Sequence, residues 1–324
     1  MLNEDALRDS IRLLVSNVIQ EEIAKSGSAA PIGSAAPASG AAPSTGATPT
    51  VGAVAEALPA SPVPAADSSE FVPDATALTM QETFWVPNAH DEEGYRKMKR
   101  FTSGRLGIWR AGPRPLSRAY VRVKADHAAA QNAVWSDVDE RVIEELKMVK
   151  LESRSDDKAE YLKNPPTGKR LSDASIEVVK NNTQAGKQVQ IVFSDGLSSS
   201  AIERNAKDVL PALEQGLKSL GISYADRPFF VKNGRVASME EIGELTAVDV
   251  VIMLTGERPG LNSQASMGAY LAYKPTVGME ESRRTVISNI HALGTPPVEA
   301  GAQIAELAQS MIKHKMSGVD LKLV

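Results

Sequence analysis

The sequence predicts an α/β protein: a doubly wound, mostly parallel sheet, preceded by a helical N-terminal region, a disordered linker and an amphipathic N-terminal helix. Three observations carry the prediction. From residue 188 onward, short apolar runs alternate with amphipathic segments, as in successive βαβ units. The run Val248 to Leu254 is almost uniformly apolar, and a strand of that kind is buried on both faces, which is the habit of a parallel sheet. The composition also switches near Phe71, the first aromatic residue, so the 324 residues divide into zones at 1–25, 26–70 and 71–324.

In the first zone Leu7, Ile11, Leu14, Val15, Val18, Ile19 and Ile23 recur at three- and four-residue spacing and line one stripe of a helix. Asn3 is a candidate N-cap, with Glu4 and Asp5 where the helix dipole favours negative charge. A helix this short is marginal alone in water, so its stripe predicts a partner surface: the body, another copy or another protein. The second zone is mostly Ala, Gly, Pro, Ser and Thr, without Lys, Arg or an aromatic residue. It buries too little apolar surface to offset its ordering entropy and reads as a disordered linker.

The third zone opens with aromatic and charged residues (Phe84, Trp85, Tyr95) and a basic run from Arg96 to Arg100. The segment Gly104 to Pro115 is rich in Gly and Pro, hence a loop, and Arg105, Arg110 and Arg114 project from it. Loop arginines of this kind are usually solvated or paired across an interface. A helix follows to about Val134 on the stripe Leu116, Tyr120, Val123, Ala130 and Val134. Ser136 with Asp139 reads as a capping box for a helix over 137–149, facing inward through Val142, Ile143, Leu146 and Val149. Gln188 to Phe193 reads as a buried strand, Ser194 to Ser200 as a polar turn opening a helix toward Leu220, and Phe229 to Lys232 as the next strand. A short helix over Met239 to Leu245, the strand Val248 to Leu254, the segment Ala269 to Tyr273 and a last helix from Val298 to Lys315 complete the pattern.

The chemistry is narrowed by what is missing. A net charge of −4 argues against a nucleic-acid binder driven by phosphate neutralisation. No cysteine means no disulfide, thiolate nucleophile or cysteine-ligated metal. No run of about 18 apolar residues occurs, and the acidic start is unlike a secretory signal, so a soluble, intracellular chain is expected. The GxGxxG fingerprint, the Walker-type loop and the GxSxG elbow are absent, and His90, His127, His291 and His314 stand far apart. The expectation is a ligand-binding fold without its own catalytic constellation. Its ligand belongs beyond the carboxyl ends of the strands, at Ser194–Ser200 and Gly256-Glu257-Arg258-Pro259-Gly260.

Four motifs now combine in order: Arg110-Ala111-Gly112-Pro113-Arg114-Pro115; Ser194-Asp195-Gly196-Leu197-Ser198; Gly256-Glu257-Arg258-Pro259-Gly260-Leu261; and Ser288-Asn289-Ile290-His291 with Gly294-Thr295-Pro296-Pro297-Val298-Glu299-Ala300. With this spacing, over residues 80–318, the chain resembles the small (light) subunits of ethanolamine ammonia-lyases. The resemblance implies an adenosylcobalamin-dependent lyase that converts ethanolamine to acetaldehyde and ammonia by a radical mechanism. A large TIM-barrel subunit holds the substrate, and the small subunit closes over the cobalamin between them.

By the same resemblance Val236, Glu257 and Val286 are cobalamin contacts, with no catalytic residue in this subunit. Family members carry cysteine at the position of Val286, and this chain departs there. The DxHxxG motif, whose histidine replaces the cofactor's own base, is absent, in agreement with base-on binding. The helix and linker at 1–70 resemble an encapsulation peptide, which implies shell or core proteins of a bacterial microcompartment as further partners of residues 1–25. The alternative function is a non-catalytic assembly protein of such a compartment.

Overall fold

Each apolar run of the second half forms a strand in the computed structural model, which describes residues 80, 82–102 and 104–321. All of these belong to one unit, Ser69–Val324. The expected helix at 1–25, the linker at 26–70 and Phe71 lie outside the described residues.

The N-terminal arm holds α1 (Glu92–Lys99), the two-residue strands β1 (Arg110–Ala111) and β2 (Arg114–Pro115), α2 (Ser117–Trp135) and α3 (Glu140–Glu145). Asp91 caps α1, accepting from the Gly94 N–H at 2.7 Å. The expected loop at 104–115 contains a tight hairpin, Arg110 opposite Pro115, turning through Gly112 at φ +59. Lys99 is buried, and its ammonium donates to the carbonyls of Thr83 and Leu106. Burial and the neighbouring Arg96 charge hold it below the usual lysine range.

The expected helix over 137–149 is shorter, and its capping box is not formed. Asp139 alone caps α3, accepting from the Arg141 N–H at 2.9 Å, while Ser136 Oγ donates back to the Asn132 carbonyl at the end of α2. The helix stops at Glu145, Lys147 turns the chain at φ +52, and Val149 opens a strand.

The sheet consists of β3 (Val149–Glu152), β4 (Val189–Ser194), β5 (Phe229–Lys232), β6 (Val250–Gly256), β7 (Met267–Tyr273) and β8 (Thr285–Ile290), in the order β3-β5-β4-β6-β7-β8. The first four pair in parallel, whereas β7 and β8 extend the sheet antiparallel. The sheet is mostly parallel, as expected, with antiparallel pairing confined to β7 and β8.

Side chains alternate across the sheet with period two. Ile191, Phe193, Ile252 and Leu254 pack under α6 (Ser199–Ser219) and α8 (Pro297–His314). Val192, Val251 and Met253 pack under α5 (Asp173–Asn182) and α7 (Ser238–Thr246). Helices α6 and α8 meet so closely that a Cβ on Gly301 would lie 2.8 Å from the Val209 carbonyl oxygen. The connections β4-α6-β5 and β5-α7-β6 step across the sheet in opposite directions. Right-handed crossovers then put their helices on opposite faces. No described helix is long and apolar enough to cross a membrane.

Candidate functional site

The winding fixes where a ligand can enter. Because β4 and β5 send their chains to opposite faces, a crevice opens at their carboxyl ends. A cleft of about 460 Å³ lies there, lined by Leu197 after β4, Arg235 and Val236 after β5, Glu257 and Arg258 after β6, and Tyr270 of β7.

Glycine makes the rim possible. Gly196 has φ +52, and a Cβ on it would stand 2.3 Å from Thr255 Oγ1 and 2.4 Å from the Gly256 carbonyl oxygen. A Cβ on Gly256 would stand 2.2 Å from the Ser198 carbonyl oxygen. The two loops are joined by the Leu197 N–H donating to the Gly256 carbonyl at 2.9 Å and by Ser198 Oγ donating to the Gln264 carbonyl at 2.6 Å.

Below the rim is a locked polar floor. Asp195 is 1% exposed and accepts from Lys158 Nζ at 2.5 Å, from the Asn233 N–H at 2.8 Å and from Ser194 Oγ at 3.3 Å. Burial pushes its carboxyl up from the usual range, against the pull of the Lys158 ammonium and these donors. Lys158 comes from α4 (Lys158–Lys163), which also supplies the fully buried Tyr161. The Tyr161 hydroxyl donates to the Gly234 carbonyl at 3.2 Å, and burial pushes it above the usual phenol range. The Arg235 guanidinium stacks 4.1 Å above the Tyr161 ring and donates to the Tyr161 carbonyl at 3.0 Å. Sequence reasoning missed α4 and with it this floor, although Asp157, which caps the helix by accepting from the Glu160 N–H at 2.7 Å, was a usable signal.

Glu257 is half-buried at the seam between the parallel and antiparallel parts of the sheet. Its Oε2 accepts from Ser266 Oγ at 2.6 Å and from the Asn289 N–H at 3.2 Å. Neither Arg258 nor any other cation pairs with it among the described residues, and Oε1 accepts no hydrogen bond from them. Gly268 leaves room for that oxygen, since a Cβ there would stand 2.9 Å from Oε1. Asn289 takes φ +65, and its Oδ1 contacts His291 Nε2 at 2.7 Å. The Leu293 N–H donates to His291 Nδ1 at 3.2 Å, so Nδ1 is the acceptor and Nε2 carries the proton. Burial lowers the His291 pKa, with Glu257 opposing, which favours this neutral form.

Val236 and Glu257 thus share one cleft. Val286 lies outside its lining, 43% exposed on β8, but stands directly opposite Tyr270, the cleft's outer wall. Opposed residues of an antiparallel pair share a face of the sheet, so Val286 extends the same surface outward.

The profile of the ethanolamine ammonia-lyase light chain matches residues 92–322. The chain belongs to that family. The ethanolamine ammonia-lyase small subunit of Listeria innocua is 50% identical over 269 residues, 83% of this chain and 92% of that one. Its counterpart in Listeria monocytogenes is 52% identical over 251 residues (78% and 85%), and that of Clostridium perfringens 48% identical over 256 residues (79% and 86%). Of the four motifs that resemble the light-chain family, two form the rim after β4 and β6, and Ser288 to Thr295 braces Glu257 from behind. The fourth is the exposed hairpin β1–β2. Arg105 of the preceding loop pairs with buried Asp126 at 2.6 Å and donates to the Leu261 carbonyl at 3.1 Å, tying the arm to the loop that carries Glu257.

Proposed function

We propose that the chain is the small subunit of an adenosylcobalamin-dependent ethanolamine ammonia-lyase, which converts ethanolamine to acetaldehyde and ammonia. In this reading it closes over the cobalamin at its interface with the large catalytic subunit. The observation that carries the proposal is Glu257: a carboxylate with one oxygen anchored and the other uncommitted, on the rim of the cleft at the switch point of the sheet.

The donor set fits the cofactor. Cobalamin is rimmed by side-chain amides, and an ionised carboxylate is their strongest acceptor among ordinary side chains. Gly196 and Gly256 let the two rim loops close on each other, since a Cβ on either would run into the facing loop. Cobalamin is larger than this cleft, so one part of it enters while the remainder faces a second chain.

When bound, adenosylcobalamin supplies radical chemistry through its cobalt–carbon bond. This chain's residues bind, orient and exclude water. Glu257 Oε1 accepts from a cofactor amide, Val236 covers the apolar edge, and Val286 packs at the outer margin. On the same reading, residues 1–25 engage shell or core proteins and place the complex in a bacterial microcompartment within the cytoplasm.

The test is reconstitution. The chain alone should release no acetaldehyde from ethanolamine, and with the large subunit and adenosylcobalamin it should. Titration of the mixed subunits with cobalamin, followed by visible absorbance, should saturate at stoichiometric cofactor. Turnover by the chain alone, or no binding by the pair, sinks the reading. A fluorescent protein carrying residues 1–25 should enter compartments, and Leu14→Glu should leave it diffuse because an apolar partner face rejects a carboxylate.

A further inference from the structure

The cleft contains more positive charge than the protein itself uses. Two guanidinium groups line it, Arg235 and Arg258, and neither forms an ion pair among the described residues. Arg258 is exposed and makes no side-chain hydrogen bond among them. Arg235 is held rigid by its stack on Tyr161 and its bond to the Tyr161 carbonyl, yet its Nε is buried with no partner. A guanidinium has five N–H donors, and Arg235 spends one of them on that carbonyl. Preorganised, with one hydrogen bond from its terminal nitrogens among the described residues, it has guanidinium N–H groups left to offer a ligand.

The placement of the pair narrows the ligand. Strand β4 lies between β5 and β6, so Arg235 after β5 and Arg258 after β6 flank the loop after β4. That loop carries Gly196, which lines the cleft and presents no side chain to it. The floor contributes no net charge, because Lys158 is matched by Asp195. With Glu257 engaged on the side of β7 and β8, the space over Gly196 faces two cations. An anion of tetrahedral oxygens suits two forked donors better than a neutral amide does.

We propose that Arg235 and Arg258 bind the phosphodiester of cobalamin's nucleotide tail, while Glu257 takes an amide of the corrin rim. This assignment rests on the proposed function and adds an orientation to it: the tail enters between the loops after β5 and β6, and the corrin lies toward β7 and β8. A phosphodiester carries one negative charge throughout the physiological range, so the contact is independent of pH there.

The test compares ligands on the complex with the large subunit. Cobalamin has the tail, cobinamide lacks both phosphate and base, and cobinamide phosphate keeps the phosphate without the base. Arg235→Ala and Arg258→Ala should each weaken cobalamin and cobinamide phosphate by about ten- to a hundredfold, and leave cobinamide unchanged. Arg235→Lys should recover part of the loss, since charge survives and the fork does not. Glu257→Ala should weaken all three ligands alike. If the arginine changes weaken every ligand equally, or none, the phosphodiester assignment is overturned while cobalamin binding stands. If the unsubstituted complex binds no cobalamin, the functional reading falls and this assignment falls with it.

Discussion

The parallel and antiparallel parts of the sheet differ in more than strand direction. Strands β4 and β6 are buried at every position, whereas β8 alternates and shows much of one side to solvent. The parallel strands end in loops that diverge and leave a cleft over a buried ion pair, Asp195 with Lys158. The antiparallel pair supplies support from the side, through Ser266 and Asn289 on Glu257. One half makes the site, and the other holds its carboxylate. Substitutions in the first should therefore be costly to folding or binding, and those in the second should act mainly through Glu257.

The largest effect expected is at the floor. Asp195→Ala leaves Lys158, whose side chain is 11% exposed, without its counter-charge and strips the Asn233 N–H of its acceptor. Breaking a buried pair from one side costs about 3–5 kcal/mol, read as a fall in the urea midpoint. The comparison on the antiparallel side is Arg283→Ala, which removes a 3.7 Å pair with Asp320 between half-exposed side chains and should cost about 0–1 kcal/mol. Equal losses would break the contrast between the two halves.

Next is Glu257→Ala in the complex. Removing a charged acceptor costs about 1.5–3 kcal/mol, so cobalamin affinity should fall roughly ten- to a hundredfold. Glu257→Gln should lose less, because its carbonyl still accepts. Unchanged affinity with the complex still assembled would remove Glu257 from the site.

What could be seen in the sequence divides along the same line. Val248 to Leu254 announced β6 by its apolar run, a pattern that needs no tertiary information; the strand forms two residues later, over Val250–Gly256, and is buried at all seven positions. The short strand β3 was hidden. Val142, Ile143, Leu146 and Val149 keep helical spacing, but the chain turns at Lys147 and Val149 already belongs to the sheet. Strand β8 reads Thr-Val-Ile-Ser-Asn-Ile, a mixed run whose partner could not be known in advance. The loop that carries Glu257 was legible because it follows the most obvious strand, whereas Glu257 itself was singled out by the resemblance. The contact of Arg235 with Tyr161 spans 74 residues, and no local pattern reports it. Local order was visible, whereas the pairings that convert it into a site were not.

A smaller effect should come from His291. Burial holds its pKa below the ordinary 6.5, with Glu257 opposing. A histidine whose folded pKa is depressed contributes stability that is present above its unfolded value and lost as pH falls through the folded one. Protonation also removes the acceptor for the Leu293 N–H. Below pH 6.5 the brace behind Glu257 should therefore loosen by about 0.5–1.5 kcal/mol, one hydrogen bond. Cobalamin affinity should sag with acid in the unsubstituted complex. His291→Gln should flatten that dependence; an unaltered slope would place the acid sensitivity elsewhere.

The smallest effect is expected at Val286, where the resemblance to the light chains implies cysteine. Val286 is 43% exposed, projects from the face it shares with Tyr270 and lies outside the cleft's lining. Any contact it makes with the cofactor is therefore marginal packing, and a cysteine behaves as a small apolar side chain in such a place. Val286→Cys should change cobalamin affinity by less than about 0.5 kcal/mol, the usual range for a surface substitution that alters no charge or hydrogen bond. Titration of the two complexes side by side checks this. A gain approaching that lost in Glu257→Ala would mean the thiol makes a directed contact that valine lacks, and the antiparallel half would then belong to the binding surface rather than only to its support.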